Sequence, residues 1–540
     1  MVHGNPRVAL HAGPLDIRCM PARLWPGPRA FSILKAKHRR RRSLSAGRRK
    51  GMANITFGKA LTDWGWLEDF YDMKTLKLVS KTATKAVFRD GDGDQIVLTG
   101  KGLTFKGDLA TKGTVTGADF IAGSGDKYLT FTKGDFEAKE LLLEIVKNKD
   151  FYGLLSDLTA GDDVITGGGS GDDIIIGKNA GDDRILGGGG DDFIKGSAGD
   201  NYMDGGKGWD DLSYEETYYD KGNAKKGIVL DATKGTVQNS WGGTDKIKNF
   251  EGYRGSHNSD KFIGASKDES FMGFAGKDDI DGGKGFDEVY YHRDQKFGGK
   301  KGIVVDLEKG TIKDGFGSTD TVKNIEAVFG TFFNDKFKGD AKDNHFRGLS
   351  GKDSFDGGKG SDTINFHFWD DLGQKGAVVD LRKTTNNILN DGFGNRETAK
   401  NIENLEGSDF ADDFTLGKAD GYVDGRGGDD RLVAGAGENW MRGGDGADMF
   451  VFLSAKHSTA LKNDIISDFN RKEGDRIDVS KVADFDFIGK KGFTGAGNEL
   501  NYAVKKGETF ISGDIDGDKK ADFVVKLDGK HTLVEGDFIL

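Results

Sequence analysis

Cysteine and proline are almost absent from this chain of 540 residues, which contains one cysteine and five prolines. Cys19 and all five prolines lie within the first 28 residues, so neither residue type occurs from Met52 onward. The absence of cysteine there excludes disulfide bonds and cysteine-based zinc sites. No apolar run approaches the roughly 20 residues that a membrane-spanning helix needs, so we expect no membrane span.

The first 51 residues differ in charge from the rest of the chain. They contain 13 Lys or Arg and one acidic residue, Asp16, whereas the remainder has 65 basic and 87 acidic residues. Arg and Pro interrupt every apolar stretch of the roughly 7–15 residues that a secretory signal requires. We expect residues 1–51 to be a non-structural leader and Met52 to begin the working protein. The acidic remainder argues against nucleic acid as a partner.

Glycine is abundant, with 85 residues, and it recurs together with acidic residues at a period of nine. Alignment on the acidic position gives 19 repeats between residues 161 and 451, with Asp at that position in 14 and an apolar residue two positions later in all 19. The unit GGGGDDFIK at 187–195 is representative. Such a period indicates an array of stacked units rather than disorder.

A longer repeat is superimposed on the nonapeptides. KKGIVLDATKGTV begins at residue 225, and related segments follow at intervals of 75 and 74 residues. Each leads to a matching segment, which is TDKIKNFEG, TDTVKNIEA or ETAKNIENL. We therefore expect a small β-rich N-terminal domain at 52–160, a nonapeptide array in four clusters at 161–451 and a separate C-terminal region at 452–540.

Residues 52–160 lack the period of nine. The segment VFRDGDGDQIVLTGKGLTF has the composition of strands joined by turns. FEAKELLLEIVKNKDFYGLL has helical spacing, and Asp135 before it is the expected N-cap. The N-terminal domain is thus predicted to contain one helix among strands.

The nonapeptide contains glycines, then a carboxylate, then one apolar residue, always in this order. Glycine supplies the positive-φ turn and lets carbonyl oxygens converge. Calcium takes about six to eight oxygen ligands, so two turns stacked in register can hold an ion that one turn cannot. We therefore predict several Ca²⁺ ions, bound by these aspartates: Asp163, Asp173, Asp183, Asp192, Asp210, Asp260, Asp278, Asp287, Asp335, Asp353, Asp362, Asp412, Asp430 and Asp448.

This pattern, GGxGxDxUx with U apolar, resembles the RTX (repeats-in-toxin, haemolysin-type) calcium-binding family. The resemblance covers roughly residues 161–451. It implies an all-β fold, a parallel β-roll or β-helix solenoid of nonapeptide repeats, with calcium between adjacent coils. Five repeats lack the aspartate, which leaves ion binding beside them open: Asn201, Glu269, Asn344, Gly421 and Asn439.

From Gly443 onward the chain resembles the C-terminal region of serralysin-type secreted proteases, in segments such as NDIISDFNRKEGDRIDVSKV. Its ending, Asp537-Phe538-Ile539-Leu540, resembles the uncleaved signal of ABC-driven type I secretion. The alternative is a terminal strand that simply packs. The resemblance implies a secreted, extracellular protein whose partners are ABC-type secretion machinery and a cell-surface or polysaccharide ligand.

Motifs of catalysis are missing. The sequence has neither the HExxH of serralysins nor GxSxG, so we expect it not to be an enzyme. Acidic runs at Asp90 and Asp514 begin like EF-hand loops but lack the later Gly and Glu. The sequence predicts a secreted calcium-binding RTX protein that folds on binding extracellular Ca²⁺ and has a surface, matrix or adhesion role. The alternative is an RTX-tailed enzyme or receptor-binding protein with its activity in residues 52–160.

Overall fold

The computed structural model describes residues 53–58, 72–149, 154, 158–159, 161–168, 171, 173–175, 181–215, 226–368 and 374–540. The expected leader, residues 1–51, lies outside these ranges. The chain divides into two compact units: residues 1–225 with 234–254 form the first unit, and residues 226–233 with 255–540 form the second unit. The domain boundaries after residues 160 and 451 stay predictions. Within the described ranges, no helix has the length and apolar character needed to cross a membrane.

An antiparallel sheet lies at the start of the first unit. Its strand Lys85–Arg89 buries Ala86 and Phe88 and exposes both ends, the alternation expected of a sheet with one covered face. Strand Asn54–Phe57 pairs antiparallel with Lys127–Thr132 and parallel with Val164–Thr166, so it joins this sheet to the repeats. The strands are Asn54–Phe57, Lys77–Lys81, Lys85–Arg89, Gln95–Lys106, Leu109–Ile121, Lys127–Thr132 and Phe136–Glu137.

The helix predicted after Asp135 is present but begins later. An α-helix spans Ala138–Leu143 and continues as a π-helical turn, Glu144–Asn148. Its N-cap is Glu137, without a side-chain capping bond, so the prediction of Asp135 as the cap is wrong. The reason is that Phe136–Glu137 pairs with Thr114 and Val115 as a strand, which delays the first helical turn.

The repeats of the first unit form two parallel ladders of short strands. Partner residues in one ladder are 18 apart where the repeats are regular, as in the pairs Phe193–Asp211 and Ile194–Leu212. Strand Thr236–Gln238 folds back antiparallel on Thr244–Lys248. One ladder contains Val164–Thr166, Arg184–Gly189, Tyr202–Lys207 and Thr244–Lys248, and the other contains Asp173–Ile175, Phe193–Lys195, Asp211–Ser213 and Gly252–Arg254.

The second unit repeats this arrangement over many more coils. On one side lie Val229–Asp231, Lys261–Ile263, Asp279–Asp281, Val304–Asp306, Thr311–Lys313, Thr319–Lys323, Lys336–Lys338, Ser354–Asp356 and Thr398–Lys400, and, in a separate sheet, Val378–Asp380, Ile388–Asn390, Asp413–Thr415, Arg431–Val433, Met449–Val451, Arg476–Asp478 and Phe538–Ile539. On the other side lie Ser270–Met272, Glu288–Tyr290, Ala327–Phe329, His345–Arg347, Thr363–Asn365, Asn404–Glu406, Gly421–Asp424, Asn439–Arg442, Asp464–Ile466, Asp486–Gly489, Glu499–Lys505, Glu508–Asp514 and Phe523–Leu527. Short helices span Asp294–Phe297 and Glu535–Asp537.

In most coils the core residue is the apolar residue of the nonapeptide. Ile194, Phe271, Phe346 and Phe450 are each fully buried, because they are the middle residues of three-residue strands that project to the inside. Most partners along these ladders run parallel. The predicted all-β fold class, a parallel β-roll of nonapeptide repeats with one helix in the N-terminal part, is confirmed.

The last residues of the chain are part of this sheet. Phe538–Ile539 pairs parallel with Ile477 and Asp478, and the buried Asp537 forms an ion pair with Arg471 at 3.0 Å. In the folded chain the terminal segment therefore packs as a strand, which is the alternative that the sequence left open for it.

Candidate metal sites

Many of the described nonapeptide turns contain a glycine whose Cα, which lacks a side chain, faces a carboxylate. In the turn from Gly443, residues Gly444 and Gly446 have φ angles of 97° and 138°, which only glycine adopts without strain. A Cβ placed on Gly443 would lie 2.1 Å from Asp448 Oδ2. The same approach occurs at Gly425, 2.1 Å from Asp430 Oδ2, and at Gly273, 2.2 Å from Asp278 Oδ2. The turn thus forms a cradle that a side chain would fill.

The aspartates of successive coils are linked through their backbone. The N–H of Asp412 donates to Oδ1 of Asp430 at 2.7 Å, and the N–H of Asp430 donates to Oδ1 of Asp448 at 3.0 Å. This link fixes one oxygen of each carboxylate against the preceding turn. The same bond joins Asp163 to Asp183, Asp192 to Asp210, Asp260 to Asp278, Glu269 to Asp287, Asp335 to Asp353 and Asn344 to Asp362.

The other oxygen of most of these carboxylates has no hydrogen-bond partner. It is buried, and nothing in the described part of the chain donates to it. A buried carboxylate oxygen without a donor is costly, so each one marks a place where a positive charge would stabilise the fold. The aspartates with such an Oδ2 are Asp183, Asp210, Asp278, Asp287, Asp353, Asp362, Asp430 and Asp448.

Burial raises the pKa of these acids. It raises the pKa of Asp183 to about 8 and that of Asp430 to about 9, with repulsion from neighbouring aspartates adding to desolvation and the backbone N–H bond opposing it. The pKa of Asp448 rises to about 7 for the same reasons. At neutral pH the metal-free stack therefore carries poorly solvated negative charge or bound protons.

Three of the predicted site residues have a different environment. We call Asp260, Asp335 and Asp412, each the first aspartate of its cluster, the opening aspartates. Asp260 accepts bonds from the Ser256 N–H and hydroxyl at 2.8 and 2.9 Å and from the Ile228 N–H at 2.6 Å. Asp335 accepts the corresponding bonds from the Thr331 N–H and hydroxyl and from the Ile303 N–H. Asp412 accepts them from the Ser408 N–H and hydroxyl and from the Ala377 N–H. Both oxygens of each opening aspartate are thus satisfied by the protein.

Asp173 has a different strand register from the other predicted ligands. It lies in strand Asp173–Ile175 and pairs with Phe193 rather than with Asp192. The fully buried core residue of this coil is Ile174, where the nonapeptide alignment predicts Ile175. The alignment is off by one here because the spacing along the chain changes from nine, between 163 and 172, to eleven before Asp183.

The sequence analysis missed carboxylates that continue the two stacks. Asp245, Asp320 and Glu397 accept the N–H of Asn201, Asp278 and Asp353 at 2.8–3.0 Å. They come from the recurring segments TDKI, TDTV and ETAK, so the signal was an acidic residue at one fixed place in the longer repeat. On the other side of the coils, Glu251, Glu326 and Glu403 accept the backbone N–H groups of Asp210, Asp287 and Asp362. Near the C-terminal end, Asp464 and Asp475 accept those of Asn439 and Asp448.

A second row of acidic residues runs along the rim of the turns. Asp429 Oδ1 accepts the N–H of Ala447 at 2.9 Å, and Asp191 Oδ1 accepts that of Trp209 at 2.8 Å. These side chains immediately precede the nonapeptide aspartates, which explains why two carboxylates stand together in units such as GDDFIK. The rim row supports the stacking of coils rather than the cradle itself.

The two EF-hand-like runs form tight loops. Asp90 Oδ1 accepts the N–H of Asp92 and Asp94 at 3.0 and 2.9 Å. Asp514, Asp516 and Asp522 bring carboxylate oxygens within 4.8 Å of one another at the turn between two antiparallel strands. Both oxygens of the buried Asp514 already accept backbone N–H groups.

The donor set of the nonapeptide turns fits calcium. It consists of carboxylate oxygens and closely approaching backbone, with unpartnered buried Oδ2 atoms aimed into glycine cradles, and calcium is bound by oxygen ligands of this kind. The residues that would hold such ions are those whose Oδ2 lacks a donor, above all Asp210 in the first unit and Asp287, Asp430 and Asp448 in the second.

Three comparisons with known proteins were informative to different degrees, and the family comparison covers the repeats. The family model described as peptidase M10 serralysin C terminal matches residues 139–540. A solved structure, the AlgE6R3 subunit of the Azotobacter vinelandii mannuronan C5-epimerase, is 18% identical, with 38% of this chain and 78% of that chain covered and a TM-score of 0.18. A search of curated proteins found no match. Since the family model covers well over half of the sequence, the chain belongs to the peptidase M10 serralysin C-terminal family, as its RTX-type repeats predict.

Proposed function

We propose that this chain is a secreted calcium-binding RTX protein whose repeat array folds when it binds extracellular Ca²⁺. The single observation that carries the proposal is the row of buried Oδ2 atoms without a donor, of which Asp430 and Asp448 are two. A chain that is stable without a cation would not retain so many buried, unpaired carboxylate oxygens.

The charge of the chain supports coupling between ion binding and folding. The formal net charge is −10 for the whole sequence, and the acidic residues of the repeats must stack directly above one another. Where calcium is scarce, their mutual repulsion opposes the compact state, and an unfolded chain is what ABC-driven export requires. Bound calcium supplies the positive charge that lets the stacked carboxylates remain ionised, so that binding free energy becomes folding free energy.

Export and a surface, matrix or adhesion role belong to the same proposal. The terminal segment Asp537–Leu540 packs as a strand only in the folded chain, so the secretion machinery would read it before the array folds. We propose a polysaccharide or another cell-surface component as the extracellular ligand. The family membership supports secretion, since serralysin-type proteins carry such repeats as their C-terminal region.

A calcium titration of the full chain followed by circular dichroism tests the proposal. We expect a cooperative gain of β-sheet signal between about 10⁻⁴ and 10⁻³ M calcium, the range of extracellular calcium modules, and no gain with magnesium. Asp430→Asn should weaken the transition. Asp429→Asn is the matched control, because its amide oxygen can still accept the N–H of Ala447. A chain that is fully folded in chelator and unmoved by calcium would overturn the proposal.

A further inference from the structure

The nonapeptide stacks are interrupted three times by long insertions. At each interruption, which we call a junction, the next carboxylate of the stack comes from 42 or 44 residues later in the chain rather than 18. Each junction is built from four corresponding residues. They are Asn201, Asn239, Asp245 and Tyr214 at the first junction, Asp278, Asp314, Asp320 and Tyr291 at the second, and Asp353, Asp391, Glu397 and Phe366 at the third.

The first junction, in the first unit, needs no cation. Its one carboxylate, Asp245, accepts hydrogen bonds from the Tyr214 hydroxyl at 2.6 Å and from the side-chain amide of Asn201 at 2.9 Å. The Asn239 amide adds longer bonds to both oxygens, at 3.3 and 3.2 Å. All three partners are buried. Two neutral amides and a hydroxyl therefore satisfy one buried charge.

The second junction has carboxylates where the first has amides. Tyr291 still donates to Asp320, at 2.9 Å, and Asp314 Oδ1 still caps its loop by accepting N–H groups of Gly317 and Ser318. Asp278 and Asp314, however, replace Asn201 and Asn239, and Oδ2 of each is buried with no donor in the described part of the chain. Three negative groups thus face one another without the amides that would neutralise them.

The third junction repeats the surplus of negative charge beside a cavity. Asp353 Oδ2 is buried without a donor among the described residues, and its backbone N–H donates to Glu397 Oε1 at 3.0 Å. Phe366 takes the place of the tyrosine and provides no hydroxyl. A small cavity lies here, and Arg347, Phe366, Asp391 and Glu397 are among the residues that line it. Asp391 Oδ1 accepts the N–H groups of Phe393 and Asn395, and its Oδ2 accepts the Asn395 side-chain amide at 2.9 Å. Buried carboxylates around a cavity provide room and ligands for one ion.

We propose that the second and third junctions each bind a calcium ion through carboxylates from outside the nonapeptide repeat, Asp314 with Asp320 and Asp391 with Glu397. Asp278 and Asp353 complete the two sites. The inference rests on the proposed function for the identity of the cation. It gives the repeat aspartates Asp278 and Asp353 further carboxylate ligands that the GGxGxD pattern does not specify, and it makes the insertions contribute ligands instead of serving only as connections between clusters.

Calcium stoichiometry of the full chain tests the inference. Equilibrium dialysis against calcium, followed by measurement of the metal content, gives the ions bound per chain. Asp314→Asn and Asp391→Asn should each lower this number by one, and the double variant should lower it by two. Asn keeps an oxygen to cap the loop, and its amide imitates Asn239. The Asp314→Asn variant should therefore remain folded by circular dichroism.

Two further variants distinguish failure of the junction sites from failure of the proposed function. One adds carboxylates to the first junction, and the other removes a carboxylate of the nonapeptide repeat. Asn201→Asp combined with Asn239→Asp should give the first junction the composition of the second and add one ion. Asp430→Asn removes a carboxylate of the repeat itself and should lower the stoichiometry if the proposed function is right. If Asp430→Asn lowers it but the Asp314 and Asp391 variants do not, the junction sites are wrong and the proposed function stands. If none of the three changes it, both fail.

Discussion

The opening aspartates and the aspartates one coil further on have the same place in the repeat but opposite surroundings. Asp412 accepts bonds from Ser408 and Ala377 at both oxygens, whereas Asp430, 18 residues later, has an Oδ2 without a donor in the described chain. We call Asp278, Asp353 and Asp430 the interior aspartates. The comparison teaches that a single sequence motif builds two kinds of buried carboxylate, one satisfied by the protein and one that requires a cation.

The pKa values follow this difference. Asp260 is as buried as Asp278, yet its pKa rises only to about 7, since the bonds from Ile228 and Ser256 oppose desolvation. The pKa of Asp278 rises to about 10, because burial is reinforced by repulsion from Asp260 and Asp320. Desolvation alone therefore does not decide the charge state. The hydrogen-bond donors and the neighbouring charges decide it together with desolvation.

The largest expected effect is a strong pH dependence of stability that appears when the metal is removed. The pKa values of Asp183, Asp278 and Asp430 in the folded chain lie at about 8, 10 and 9, above the value of about 4 for unfolded Asp. The stability that these protonated acids give the metal-free fold is complete below about pH 4 and is lost as the pH rises through those values.

Thermal unfolding of metal-stripped protein checks this prediction. Between pH 5 and pH 9 its midpoint should fall by about 10 °C or more, since several groups act together. In saturating calcium the midpoint should not fall over the same range, because calcium requires the ionised carboxylates. A metal-free midpoint that rises with pH would show that the interior aspartates are already ionised and neutralised by other means.

Substitution of the turn glycines should have the next largest effect. A Cβ at Gly425 would lie 2.1 Å from Asp430 Oδ2, and one at Gly407 would lie 2.4 Å from Asp412 Oδ2. Either change to Ala should lower the free energy of unfolding by about 1–3 kcal/mol through overpacking. Only Gly425→Ala should also reduce calcium binding, since it displaces an interior aspartate. Gly492→Ala, with nothing within 4 Å, is the control for denaturant unfolding.

The comparison is sharpest when the two aspartates themselves are changed. Asp412→Asn removes an acceptor from a backbone N–H and should destabilise the fold by about 1–3 kcal/mol with or without calcium. Asp430→Asn should stabilise the metal-free fold by about 1 kcal/mol near neutral pH, because the amide is neutral without the proton that the folded carboxyl must bind, and destabilise the calcium-bound fold. Denaturant unfolding in chelator and in calcium measures both. If Asp430→Asn changes the free energy of unfolding in the same direction in chelator and in calcium, the distinction between opening and interior aspartates is wrong.

Sequence alone predicted the elements that depend on local periodicity. The period of nine placed core residues such as Phe450, which is fully buried, and it placed the carboxylate next to the glycine cradle. It could not place Asp320 beside Asp278, because an insertion separates them and their spacing of 42 residues does not follow the period of nine. The role of Ser408 was missed for another reason. A hydroxyl four residues before an aspartate is ordinary in turns, and only the fold shows that it donates to Asp412.

The smallest expected effect concerns the hydroxyls that distinguish the opening turns. Thr331 Oγ1 donates to Asp335 Oδ1 at 2.9 Å, while the Thr331 N–H holds Oδ2 at 2.7 Å. Thr331→Val keeps the shape and the backbone bond but removes the hydroxyl, so the free energy of unfolding should fall by about 1 kcal/mol. The loss should be greatest above neutral pH, because burial raises the pKa of Asp335 to about 7 and a hydroxyl donor matters most to the ionised form. Calcium stoichiometry should not change. A lost ion in Thr331→Val would place Asp335 among the interior aspartates and remove the distinction between the two groups.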